Sequence, residues 1–122
     1  MLHLELLRAR NILIVAPDGP LQKADFEHLA KKINPVIASK GKLTGLLIYV
    51  KTFPGWRNLR AFVAHLKFVV DHHRQIERIA AVTSSKNLKA MTRIAGYFVK
   101  PDVKHFDLEQ ETQALVWLET GS

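Results

Sequence analysis

Six histidines are the residues of this chain best suited to hold a metal or move a proton. Their spacing argues against both. His65 and His72 are seven positions apart, so on a helix they share a face but stand two turns, roughly 10 Å, from each other. His72 and His73 would point about 100° apart, and no two histidines have the four-residue spacing that lets one helix face chelate an ion. At the end of a helix they suit its dipole instead. Gly41-Lys42-Leu43-Thr44 resembles the close of a phosphate-binding loop. It lacks the upstream glycine, and it precedes a strand where such a loop must follow one and open a helix. Serines stand at Ser39, Ser84, Ser85 and Ser122, none in a nucleophile elbow. No carboxylate pair shares a helix face in the basic part of the chain, so hydrolysis has no acid–base couple. With no cysteine, thiolates, disulfides and sulfur-ligated metals are excluded. The residues point to no enzyme, no metal and no cofactor.

The segment Lys51-Thr52-Phe53-Pro54-Gly55-Trp56-Arg57 offers binding chemistry instead. It follows an apolar strand, at the carboxyl end of the sheet, where open α/β folds place ligands. Phe53 and Trp56 flank a Pro-Gly turn and are bracketed by Lys51 and Arg57. Aromatics beside cations on a turn suit a membrane interface or an amphipathic ligand; Trp56 could equally fold back to cap the core. The helix that follows carries Leu59, Phe62, Val63, Leu66, Val69 and Val70 on one face, the expected core side. Phe68 falls about 180° from Leu59, which predicts an exposed aromatic on a second contact surface or one covered by a second subunit. Arg60, Lys67 and Arg74 align on the same helix at seven-residue spacing. On the next helix Lys86, Lys89, Arg93 and Lys100 gather within about 60° with no acid among them, where a merely solvated face would mix signs.

These segments need elements to hold them. The 122 residues suit one domain with one hydrophobic core, spanning 1–122. His3 to Arg8 and Ile12 to Val15 read as a hairpin, broken by Asp18-Gly19-Pro20. A helix over 21–39 follows, with Pro35 expected to kink or split it. Leu43 to Val50 and Ile79 to Thr83 read as strands buried on both faces. Helices are expected after each: one to about Arg74, and one buried through Leu88, Met91, Ala95, Phe98 and Val99 and stopped by Pro101. Val103 to Leu108 alternates as a strand, and 109–119 closes as a helix. The order β-β-α-β-α-β-α-β-α predicts an α/β fold with a mostly parallel five-stranded sheet and an antiparallel N-terminal hairpin strand.

Charge is unevenly spread. Residues 28–101 hold fourteen Lys and Arg against Asp71 and Glu77, while the whole chain carries +7. Such a field favours phosphate-bearing or acidic partners.

The ordering, together with Phe26 and Leu29 before Pro35, Leu46-Leu47-Ile48-Tyr49-Val50, His72-His73 with Ile76 to Val82, and Phe106, Glu109, Ala114 and Trp117-Leu118, resembles the SpoIIAA-like family. These are relatives of the STAS domain of anti-sigma-factor antagonists. The resemblance implies a sheet wound in one direction, kinship in fold with CRAL-TRIO lipid-transfer domains, and no enzyme activity. STAS regulators carry an Asp-x-Ser-Gly phosphorylation motif after the central strand. Here that place has neither the acid nor the serine, and Thr52 is the one hydroxyl at hand.

The expected function is therefore a non-enzymatic module for an apolar or amphipathic, lipid-like molecule, or for an anionic membrane surface, with 51–74 as a mobile lid. Phe53, Trp56 and Phe68 would enter the interface and Lys51, Arg57, Arg60 and Lys67 would meet phosphates. The alternative is a regulatory protein–protein module of STAS type acting on an acidic partner. A homodimer would account for Phe68. Nucleic acid ranks last among the partners, because no recognised reading motif accompanies the charge. Without a secretory leader pattern or an apolar run of about 20 residues, the expected location is the cytoplasm, with peripheral attachment at the inner membrane surface.

Overall fold

The computed structural model describes residues 2–122; Met1, the first residue of the expected domain, lies outside them. In chain order the elements are β1 (Leu2–Leu7), β2 (Ile12–Pro17), α1 (Lys23–Lys40), β3 (Leu43–Tyr49), α2 (Leu59–His72), β4 (Ile76–Val82), α3 (Lys86–Ala95), β5 (Asp102–Phe106) and α4 (Glu111–Thr120). Single 3-10 turns, His73–Gln75 and Leu108–Gln110, lead into β4 and α4. The expected α/β order holds throughout.

β1 pairs antiparallel with β2, and β2 to β5 run parallel in the order β1-β2-β3-β4-β5. The hairpin turns on Asn11, whose φ of 56° is a left-handed conformation that asparagine tolerates. Its side-chain amide donates to the Lys42 carbonyl at 2.9 Å and to Thr44 Oγ1 at 3.2 Å, tying the turn to the start of β3.

Strand order that follows chain order, with right-handed crossovers, sets α1, α2 and α3 on one face of the sheet. α4 covers the other. Alternate strand residues divide accordingly. Leu13, Val15, Leu46 and Ile76 meet α1 and α2, while Ile12, Leu47, Ala80 and Val82 meet Ala114 and Leu118 of α4. The α4 layer is tight: a Cβ built on Gly45 would lie 2.8 Å from the Cβ of Leu118.

Two expectations about helices need correction. Of the two outcomes expected at Pro35, the split does not occur: α1 is continuous from Lys23 to Lys40. Asn34 and Pro35 are exposed, so the backbone bond that proline forfeits is lost on the side where water replaces it. α3 ends at Ala95, six residues short of Pro101, with Gly96 as its cap.

Candidate functional site

On the face of the sheet beneath α2 and α3 lies a half-enclosed cavity of about 400 Å³. Leu46 and Ile48 of β3, Ile79 and Ala81 of β4 and Val103 of β5 form its floor. Phe26 and Leu29 close it on the α1 side, and His65, Phe68, Val69 and His72 project from α2. Leu88, Met91 and Ala95 of α3, with Phe98 and Val99 beyond it, line the opposite side. No lysine, arginine, aspartate or glutamate lines the space; its polar members are His65, His72, His73 and Thr92.

None of the apolar residues expected to bury α3 is buried: they border the cavity, and Phe98 and Val99 lie beyond the end of the helix. Met91 stays 40% exposed and Phe98 80%. Protein interiors rarely leave gaps larger than a water molecule, so an amphipathic helix whose inner face meets empty apolar space has packing left unused.

α2 sits in a different rotation from the expected one. Phe68 is buried at 8% exposure, together with Ala61 and His72, and is not the outward aromatic that its spacing predicted. Four of the six residues of the expected core stripe are exposed instead, Leu59, Val63, Leu66 and Val70 at 76, 54, 51 and 70%, while Phe62 and Val69 are partly buried and Leu66 also reaches the cavity. The inner face is built from small residues and hydrogen-bonded rings. Ala61 and Ala64 allow close approach to the core, and Phe68 stacks on the His72 ring with centroids 4.2 Å apart. Both nitrogens of His72 are engaged, by the Phe68 carbonyl oxygen and the Asn34 side-chain amide, each at 2.9 Å. The His65 ring lies 4.8 Å from that of Phe26, nearly parallel to it. A hydropathy pattern scores histidine as polar and so turns the helix the wrong way. The signal within reach was the spacing of Ala61, His65, Phe68 and His72, which share one side.

The loop before α2 folds back. Leu21 and Trp56 form a parallel bridge, with the Leu21 amide donating to the Gly55 carbonyl and the Arg57 amide to the Leu21 carbonyl, both at 2.8 Å. Trp56 packs against the core and donates its indole N–H to His65 Nδ1 at 3.1 Å. Of its two open readings, core-capping is the one the structure adopts. Phe53 remains at the rim, 36% exposed and edge-on to Trp56 at 5.2 Å. Thr52 is exposed.

Lys51, Arg57, Arg60 and Lys67 are all exposed, as are Lys86, Lys89, Arg93 and Lys100. Lys67 pairs with Asp71 one turn on, at 3.2 Å. Among the described residues no acid pairs with the other seven, so these cations stand free. The sheet also has no point where strand order reverses, which is what a ligand crevice at the strand carboxyl ends requires. The cavity instead lies over the sheet face, beneath the helices.

One consequence is measurable. Burial holds the His65 pKa below its ordinary value of 6.5, and its Nδ1 must stay unprotonated to accept from Trp56. The unfolded chain then takes up this proton first, so the stability it contributes is full above about pH 6.5 and is lost as pH falls from there through the lowered pKa of the folded state. Melting temperatures between about pH 5 and 8 should fall more steeply on acidification for the native protein than for His65→Phe. Superimposable profiles would remove His65 from the account.

A singly wound sheet with helical crossovers on one face and a closing helix on the other defines the class, a single α/β domain. The chain belongs to the SpoIIAA-like family, whose model matches residues 12–119. It is also similar to a solved structure from Shewanella loihica PV-4, an uncharacterized protein of the DUF3478 family with a SpoIIAA-like fold. The TM-score is 0.73 at 23% identity, over 97% of this chain and 92% of that one. No curated protein matches.

Proposed function

We propose that the protein is a non-enzymatic module that holds an apolar or amphipathic molecule in the cavity beneath α2 and α3 and docks on anionic membrane through the outer face of α2. The cavity is the observation that carries this reading. The walls are almost wholly apolar, and water in a half-open space leaves that surface unburied; an apolar occupant would bury it at about 25 cal/mol per Å². Pockets of this size and lining suit small apolar ligands.

The α2 surface supports the docking half. Leu59, Val63, Leu66 and Val70 form an exposed apolar stripe, with Arg60, Lys67 and Arg74 along one flank. An apolar band beside cations is how helices lie in a bilayer interface, and each cation near an anionic surface contributes about 1 kcal/mol. Among the described residues no helix is long and apolar enough to cross a membrane. Segment 51–74 would act as the lid, with its loop held at Leu21 and α2 as the moving part.

The free cations Lys86, Lys89, Arg93 and Lys100 on and after α3 favour a second reading, an acidic protein partner of the kind STAS regulators engage.

Native mass spectrometry of gently purified protein, followed by solvent extraction, tests the cavity. A co-purifying apolar molecule is expected; a clean apo mass moves weight to the protein partner. For docking, sedimentation with phosphatidylglycerol vesicles at low salt should carry the protein down, and Val63→Glu with Val70→Glu should leave it in solution. Equal sedimentation of native and variant protein would sink the α2 surface as the contact.

A further inference from the structure

Resting on the reading of the cavity as a ligand site, we infer that its occupant carries an uncharged oxygen acceptor, such as a ketone, ester or amide carbonyl, held by the Nε2–H of His65. The tautomer follows from the partners. An indole N–H can only donate, so the Trp56 contact at 3.1 Å makes His65 Nδ1 the acceptor and puts the ring proton on Nε2. Among the described residues nothing accepts from that N–H. Nor is it sealed in, because the one sealed side-chain polar atom without a partner among those residues is Asn11 Oδ1. Because the half-buried His65 ring lines the cavity, this free donor is placed to meet an occupant there.

The other polar members leave His65 as the donor of choice. His72 has both nitrogens engaged. Thr92 spends its hydroxyl proton on the Leu88 carbonyl at 2.7 Å. His73 accepts from the Lys100 amide at 3.0 Å and has its own Nε2–H. It lies beyond the end of α2, eight residues or about 12 Å further on, too far to share one acceptor with His65. The lining also decides the charge. With no lysine or arginine on the walls, a buried carboxylate or phosphate would lack a counter-ion, a cost that one neutral imidazole does not offset. The cations outside serve a surface; the interior suits a neutral carbonyl on an apolar body.

The test compares 2-nonanone, which has the carbonyl, with toluene, which has no oxygen, as ligands of the native protein, His65→Phe and His73→Phe. Native protein should bind both, and 2-nonanone alone should move the His65 Nε2–H resonance in imidazole ¹H–¹⁵N spectra. His65→Phe should weaken 2-nonanone relative to toluene roughly three- to tenfold, the range of one neutral hydrogen bond; His73→Phe should change the two probes alike. If 2-nonanone binds without moving the His65 resonance, or is weakened in His65→Phe no more than toluene is, the acceptor inference is overturned while the cavity reading stands. If neither probe binds native protein, the cavity reading falls and takes the inference with it. The spectra of native protein decide the matter even where His65→Phe fails to fold.

Discussion

Ala81→Leu is expected to raise the melting temperature of the ligand-free protein and to abolish binding in the cavity. Ala81 lies on β4, between β3 and β5, with its methyl on the cavity floor. Leucine adds three carbons to space that is already apolar. At about 0.8 kcal/mol per buried methylene the gain is roughly 2 kcal/mol, which for a domain of this size is several degrees. In a filled core the same change would cost about 1–3 kcal/mol through overpacking. The sign of the shift therefore reports whether the space is a true void. Thermal unfolding of stripped protein, with toluene titration alongside, gives both readouts. A lower melting temperature would mean that α3 closes onto the sheet and that no cavity persists in solution.

The largest loss is expected on the opposite side of the sheet. Gly45 lies mid-strand in β3, paired to Ile12 on one side and Arg78 on the other. A Cβ there would meet Leu118 Cβ at 2.8 Å and Cδ2 at 3.1 Å. Neither partner can give way easily. Leu118 is fully buried and its carbonyl accepts from Arg78 Nη1 at 3.0 Å, which anchors the end of α4. Gly45→Ala should cost about 1–3 kcal/mol, and Leu118→Ala, which opens a hole, about 2–5 kcal/mol. The double variant should lose less than the two together, because each change relieves the fault of the other. Urea unfolding of the four proteins measures the coupling. Strictly additive losses would show that the close approach is not what keeps Gly45 a glycine.

The sheet was legible in the sequence because its strands are short apolar runs whose period and bounding turns have few alternatives. The strands expected over Leu43 to Val50 and Ile79 to Thr83 appear as Leu43–Tyr49 and Ile76–Val82, the start of β4 at Glu77 and Arg78 being missed because charged residues break its apolar run. Helix rotation was not legible. α2 has two faces able to be buried, and the larger one, through Leu59, Val63, Leu66 and Val70, is the one left outside. What turns the helix is the fit of Ala61 and Ala64 with His65 and His72, whose ring nitrogens find partners as far away as Asn34 and Trp56. Contacts that distant have no trace in local periodicity. The cavity escaped for a related reason. An amphipathic pattern such as that of Leu88, Met91 and Ala95 states which side of a helix avoids water, and not whether protein or a ligand fills the space beyond. The lone residues at Phe53 and Lys51 were placed correctly at an exposed loop, but that loop is bridged to Leu21 and stands at the rim of the site.

The two faces of the sheet differ in how much change each tolerates. Where Gly45 meets Leu118, one added methyl group collides with a helix. Where α3 faces β4 and β5, side chains border open space, and exchanging one apolar residue for another alters the shape of that space with little penalty to the fold. Descendants of this chain are thus free to drift at Leu88, Met91 and Ala95, and the shape of the space above the sheet would drift with them. The α4 layer beneath them stays fixed and keeps every such variant foldable.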